Sequence, residues 1–249
     1  MKLRYLSDIL LEFIKPNKIA NFIKKVTPNR DEICILAGDI GNPYSQAYDI
    51  FMTHINASFK RTFVIPGNHE YYQMSHSMDE TRQYMREYFV KFPNIRLLDN
   101  DFELYENHCF IGTTLWSKIT NPAYEINDVY NIPNFDYLKY NRLNTLARDF
   151  LEDTVTNHEN CIVITHHIPS NDLIDPKYKT AKMLPYNQWF YCDMDDFIGA
   201  NREKIRCWIY GHTHIPGFNT LHGIPFLCNP IGYPNENPKP DFACVFEVL

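Results

Sequence analysis

Five short apolar runs in this chain stop on the same kind of residue, and that repetition restricts the fold more than any other feature. Leu3 to Leu6 leads into Ser7-Asp8, Ile33 to Ala37 into Gly38-Asp39, and Arg61 to Ile65 into Pro66-Gly67-Asn68-His69-Glu70. Cys161 to Thr165 ends on His166-His167, and Ile205 to Tyr210 on Gly211-His212-Thr213-His214. Segments of helical period separate the runs, at Lys18 to Val26, Tyr44 to Phe59, Ser77 to Phe92 and Leu138 to Asn157. Buried strands alternating with amphipathic helices specify an α/β architecture. In such sheets ligands collect at the carboxyl ends of the strands, so residues far apart in sequence can meet in one crevice.

Three shorter strand candidates, Arg96 to Leu98, Phe102 to Tyr105 and Cys109 to Ile111, lie close enough to pair antiparallel. The stretch Thr120 to Asp136 is too long for a simple connector and is a candidate substrate-facing insertion. No solenoid repeat or Gly/Ser linker interrupts the pattern, so residues 1 to 249 are expected to form one domain. A hydrophobic content of 45% supplies its core and excludes a disordered tail. Twenty-four basic against 30 acidic residues, net −6, give no field that favours long nucleic acid or an anionic membrane. Small substrates fit that balance better. The seven cysteines sit mostly in apolar runs without a C-x-x-C pair, which reads as reduced core and argues against a thiolate zinc site. With no signal-peptide or membrane-length apolar segment, the expected location is cytoplasmic; the oligomeric state is left open.

Each strand-end residue has an ordinary explanation when taken alone. An aspartate after a strand is usually a turn former or a helix cap, and Gly-Asn-His suits a turn because glycine and asparagine adopt left-handed conformations. The histidine pairs say more, since His212 and His214, two apart, project to the same side. Five such ends in one chain outweigh the separate explanations. Oxygen and imidazole donors without sulfur suit divalent manganese, iron or zinc, one or two ions per chain. A zinc-dependent amide hydrolase would need a cluster such as H-E-x-x-H, which the sequence lacks. Tyr71, Tyr72, Trp116, Tyr130 and Tyr233 lie near the motifs and could stack on a base or aryl group; as half-buried rim residues they would need no ligand.

In order and composition these motifs resemble those of the calcineurin-like metallophosphoesterases. That family's D-x-H, G-D, G-N-H-E, strand-end His and G-H-x-H are matched from Asp8 to His214 by the five segments quoted above. Leu115-Trp116 and Asn229-Pro230-Ile231-Gly232-Tyr233 resemble a subgroup of it. The resemblance implies a two-sheet β-sandwich flanked by helices with a binuclear metal centre at its rim. It implies that Asp39 bridges two metals, with Asp8 and His214 on the first and Asn68, His166 and His212 on the second. Asp39 and His69 are then the expected catalytic residues, and Asn68, His69, His167 and Tyr72 the expected contacts to a small phosphorylated substrate. Two cations roughly 3.5 to 4 Å apart would neutralise a phosphoester and generate hydroxide from water near neutral pH. His69, with a reference pKa of about 6.5, would protonate the leaving oxygen, a contribution of roughly 10²- to 10⁴-fold, or would act as a cation beside the phosphate.

One position departs from the pattern. The family motif has histidine two residues after the first aspartate, and here Leu10 stands in that place. Loss of an imidazole ligand should weaken the first metal position at least as much as the 10- to 100-fold typical of outer-shell changes. Glu12 lies two residues further, past the expected end of the strand, where its direction is not fixed. Ile231 occupies a position that is usually basic in the subgroup, which removes a phosphate contact. A metal-dependent phosphoesterase impaired at its first site is the leading expectation, and a binding or scaffold protein on the same fold the alternative.

Overall fold

The computed structural model describes residues 1–248. Strands β1 (Lys2–Leu6), β2 (Asn29–Ala37), β3 (Phe59–Ile65) and β4 (Ile95–Leu97) run parallel, and β11 (Val245–Glu247) closes the edge antiparallel to β1. The second sheet has the order β5 (Asp101–Tyr105), β6 (His108–Thr113), β7 (Cys161–Thr165), β8 (Ile205–Tyr210), β10 (Ile224–Cys228) and β9 (Gly217–Leu221). Its four central strands are parallel and both edges antiparallel.

Alternation along the strands explains why the sheets stack. In β2, Ile33, Ile35 and Ala37 face a core shared with Ile162, Ile164, Cys207 and Ile209 of the other sheet. The intervening Cys34 and Leu36 face the helices Gln46–Ser58 and Met78–Phe89. Likewise Cys161, Val163 and Trp208 turn outward to the helix Tyr137–Asn157. Side chains of period two on a strand buried from both sides give two apolar faces, so each sheet needs a partner sheet and a helical cover. The result is an α/β sandwich of two sheets flanked by helices.

Several boundaries differ from the sequence expectation for identifiable reasons. The segment 18–26 is no continuous helix: short turns at Pro16–Lys18, Ile19–Phe22 and Ile23–Lys25 follow one another. No side chain caps any of them, and an isolated helix that short is marginal. The strand expected at 96–98 does not pair with its sequence neighbours; as β4 it joins β3 in the first sheet through the helical crossover that parallel pairing requires. Only β5 and β6 form the hairpin, turned by Glu106-Asn107 with φ of 46° and 64°, the two left-handed residues of a tight type I′ connection. Strands β9, β10 and β11 were not anticipated. Among the described residues no helix is long and apolar enough to cross a membrane, and the seven cysteines are free thiols, six of them buried.

Candidate metal centre

The strand ends bend sharply where they carry polar side chains. Asp8, Asp39, His212 and His214 have φ of 51°, 55°, 66° and 52°, in the left-handed region that costs energy for residues other than glycine. Such bends turn consecutive side chains inward at the rim of the sheets. The neighbouring glycines make room for them: a Cβ on Gly67 would lie 2.1 Å from Asp39 Oδ1, and one on Gly38 would lie 2.5 Å from His166 Nδ1. Glu70 ties the two loops together. Its buried carboxylate accepts backbone N–H bonds from Asp39 (3.0 Å), Ile40 (2.6 Å), Gly41 (3.2 Å) and Gly67 (2.6 Å). Burial and the nearby Asp39 push Glu70 up to about 7, and the four N–H donors pull against that shift.

The most informative cluster surrounds His166. Its Nδ1 lies 3.0 Å from the Ala37 carbonyl, which can only accept, so this nitrogen carries a hydrogen. In the neutral ring Nε2 is then a lone pair. It faces Asn68 Oδ1 at 2.9 Å, His212 Nδ1 at 3.1 Å and Asp39 Oδ2 at 3.2 Å. The amide is oriented as well: Asn68 Nδ2 donates to Asp128 Oδ1 at 2.9 Å, which turns Oδ1 toward His166. His212 Nε2 is buried without a hydrogen-bond partner. Lone pairs converging in a buried site need a cation among them, a proton or a metal ion. Burial lowers His166, but Asp39 and Asp8 outweigh it and hold the ring up at about 9. Burial likewise raises Asp39, while His166 and His69 hold its carboxyl well below the usual range. His212 is driven well below its ordinary value by burial and by His167 and His166, so it stays neutral and able to donate a lone pair. Donor atoms of Asp39, His166 and His212 all lie within 4.8 Å of one another, so the set fits a divalent cation.

A second group shares Asp39. Donor atoms of Asp8, Asp39 and His214 also lie within 4.8 Å of one another. Asp8 accepts from Ser7 Oγ at 2.5 Å and from the His212 N–H at 3.1 Å, and its Oδ1 is 3.3 Å from His214 Nε2. His214 Nδ1 meets Glu236 Oε2 at 2.6 Å. Burial lowers His214, but Asp8 and Glu236 push it up to about 10. Leu10 is buried and has no donor atom in its side chain; its backbone N–H bonds to the Asp39 carbonyl at 3.0 Å and its carbonyl accepts from the Phe13 N–H at 3.0 Å. Glu12 does not replace the missing donor. The 3-10 turn Leu11–Phe13 carries it to His69, where Oε1 stands 2.9 Å from Nδ1. Burial lowers His69, yet Asp39 and Glu12 raise it to about 9. Its Nε2 is 4.0 Å from Asp39 Oδ2 and 3.3 Å from the Tyr233 hydroxyl.

A cavity of about 260 Å³ opens over these residues, lined by Asp39, Asn68, His69, His212 and His214 from the strand ends. The insertion 120–136 contains a short helix, Asn127–Asn131, and supplies Ile126, Asn127 and Asp128 to the lining. Of the five aromatic candidates only Tyr72 and Tyr233 reach the cavity. Trp116 is buried against Phe135, Tyr140 and His167, Tyr71 is buried, and Tyr130 is exposed with its hydroxyl on Glu125. His167 does not line the cavity. It is fully buried, with Nδ1 on the Thr114 carbonyl at 3.1 Å and Nε2 on the Tyr140 hydroxyl at 2.7 Å, so neither nitrogen is left for a substrate. Burial, then His166, lowers it to about 3 and keeps it neutral. Ile231 is buried and its N–H bonds to the Ser7 carbonyl at 3.0 Å.

Over residues 1–216 the chain matches the calcineurin-like phosphoesterase family. It belongs to that family. A relative 31% identical over 265 residues, covering 94% of this chain and 92% of its own length, is the uncharacterized protein L509 of Acanthamoeba polyphaga mimivirus. The crystal structure of a phosphopantetheinyl hydrolase from Mycobacterium tuberculosis superimposes with a TM-score of 0.77 at 15% identity, over 97% of this chain and 94% of that one. At that identity the likeness speaks for the fold.

Calcineurin-like phosphoesterases are metal-dependent hydrolases, and the two donor groups around Asp39 are the chemistry such a family requires. One further side chain of the site carries no mark in the sequence, and the direction of another does not follow from it. Asp128 is fully buried and receives Asn68 Nδ2 and, at 2.6 Å, the Tyr72 hydroxyl; a buried carboxylate on an irregular insertion carries no motif. Glu12 was placed in sequence but not in direction. Its proximity to a conspicuous histidine depends on a turn whose sense periodicity cannot reveal.

Proposed function

We propose that this chain is a phosphoesterase that works with a divalent manganese, iron or zinc ion held by Asp39, Asn68, His166 and His212. Asp8 and His214, with Asp39, form a second and weaker position that lacks the imidazole for which Leu10 stands. The observation that carries this reading is the lone-pair cluster at His166 Nε2, with its three neighbours within 3.2 Å. When bound, divalent cations neutralise a phosphate and lower the pKa of water. The protein's own groups then do the rest. Asp39 sets the spacing of the two positions, and its Oδ1 accepts the His69 N–H at 2.8 Å, which fixes the loop carrying that imidazole. His69, kept protonated by Asp39 and Glu12, stands at the cavity as the proton donor for a departing ester oxygen. Tyr72 stacks on its ring at a centroid distance of 4.2 Å and fixes its plane.

The test is a titration of the metal-free protein with manganese or zinc, followed by hydrolysis of bis(p-nitrophenyl) phosphate. One ion bound tightly and turnover that depends on it support the reading; no ion bound, or turnover indifferent to metal, sinks it. Leu10 favours a second reading, a phosphate-binding or scaffold protein that holds one ion without turnover. Leu10→His separates the two, because a gain of a second ion together with activity would be expected only of a hydrolase lacking one ligand.

A further inference from the structure

The carboxylate that aims Asn68 stands on a weak support. Asp128 belongs to the five-residue helix Asn127–Asn131, which no side chain caps, inside the irregular insertion 120–136. A helix that short fixes little by itself. Both carboxylate oxygens are nonetheless occupied. Oδ1 accepts from Asn68 Nδ2 at 2.9 Å and from the Tyr72 hydroxyl at 2.6 Å, whereas Oδ2 meets a single group among the described residues, the Tyr140 hydroxyl at 3.2 Å.

Tyr140 comes from a firmer element. It lies in the first turn of the 21-residue helix Tyr137–Asn157, which Asp136 caps by accepting from the Lys139 N–H at 2.8 Å. Its side chain is fully buried, with the ring edge-on to Trp116 and to Trp189 at centroid distances of 5.0 Å. The same hydroxyl stands 2.7 Å from His167 Nε2 and 3.0 Å from the Trp189 carbonyl, so one oxygen ties the long helix to the insertion, to the end of β7 and to the segment beyond it. Groups locked by packing on a regular element hold a site more precisely than groups on a loop.

We infer that Tyr140 is a positioning residue for the metal centre: its hydroxyl pins Asp128 Oδ2, so that Asp128 Oδ1 holds the Asn68 amide with its oxygen turned toward the ion. This rests on the reading of Asn68 as a metal ligand and adds the residue that aims it. Rotation of the Asp128 carboxylate would withdraw Oδ1 from Asn68 Nδ2, and the amide would lose the acceptor that tells its nitrogen from its oxygen. The ring of Tyr140 and its hydroxyl then have separate tasks, the first to pack and the second to orient.

The experiment takes Tyr140→Phe, which keeps the ring and removes the oxygen. Manganese affinity is measured by calorimetry, and the visible spectrum of the cobalt-loaded protein records the donor geometry; neither needs turnover. Tyr140→Phe is expected to bind manganese about tenfold more weakly and to shift the cobalt bands. Because it acts through Asp128, combining it with Asp128→Ala should lose no more than Asp128→Ala alone. Val155→Ala, on the buried face of the same helix, should lower the urea midpoint and leave both metal readouts in place. Asp128→Asn keeps an oxygen for Asn68 and offers an N–H to Tyr140, so it should lose less than Asp128→Ala; it tests the same link if Tyr140→Phe fails to fold. An unchanged affinity and spectrum in Tyr140→Phe, additive losses in the double variant, an equal shift in Val155→Ala, or a loss in Asp128→Asn as large as in Asp128→Ala overturns the inference. If the unaltered protein binds no ion, the metal reading falls and the inference with it; an ion that binds and ignores Tyr140→Phe removes the positioning role alone.

Discussion

The two sides of Asp39 are built to different standards. On one side, His166 is fully buried, its tautomer is set by the Ala37 carbonyl, and Asn68 is held by Asp128. On the other, His214 leans on Glu236 at the rim, and Leu10, two residues after Asp8, offers no lone pair from its buried side chain. The first side has its donors oriented by buried hydrogen-bond partners. The second has charge but too few lone pairs. Affinity for a cation follows from how many donors are pre-aimed, so the proposed metal centre would have a strong position and a weak one sharing a single carboxylate.

The sharpest way to break this contrast is His166→Ala, which removes the donor at the centre of the strong side. Manganese affinity measured by calorimetry should fall by about 100-fold or more, with the fold intact by circular dichroism. Leu10→His should level the two sides from the other direction, moving the stoichiometry from one ion toward two and tightening the weak position by about 10- to 100-fold. Asp128→Ala removes the carboxylate that accepts from Asn68 Nδ2 and leaves the Tyr72 hydroxyl without its acceptor. We expect about tenfold weaker metal binding and about 1–3 kcal/mol lower unfolding free energy in urea. The smallest effect should come from Glu12→Gln. His69 is raised to about 9, so its protonated form persists at neutral pH and is lost as pH rises through that value. Without the Glu12 carboxylate this alkaline limb of kcat/KM should move to lower pH, while an unmoved limb would remove Glu12 from the catalytic account.

The strands that lead into the centre were legible because each is a mostly apolar run closed by glycine or a polar residue, and two faces of burial leave little other choice. The fate of residues 95–97 was not legible. Whether a short strand joins the sheet before it or the one after it is decided by the crossover helix Met78–Phe89, not by its own side chains. The hairpin of β9 and β10 turns on His222-Gly223, with φ of 51° and 83°, a tight turn with little Asn or Asp signature to reveal it. In the centre, side chains that carry lone pairs were visible as strand-end residues. The groups that aim them, Asp128 on Asn68 and Glu12 on His69, depend on three-dimensional approach between segments 60 and 57 residues apart. His167 shows the converse: a histidine next to a donor looks like a second functional group, yet alternation across the strand end sends it into the protein.

Leu10 has φ of 55° and ψ of 53°, a conformation in which leucine is uncommon and histidine several-fold more frequent. The main chain there already has a shape that suits a histidine. On the proposed reading, Leu10→His would add the ligand at a backbone conformation that histidine adopts more readily than leucine, with no loop to rebuild.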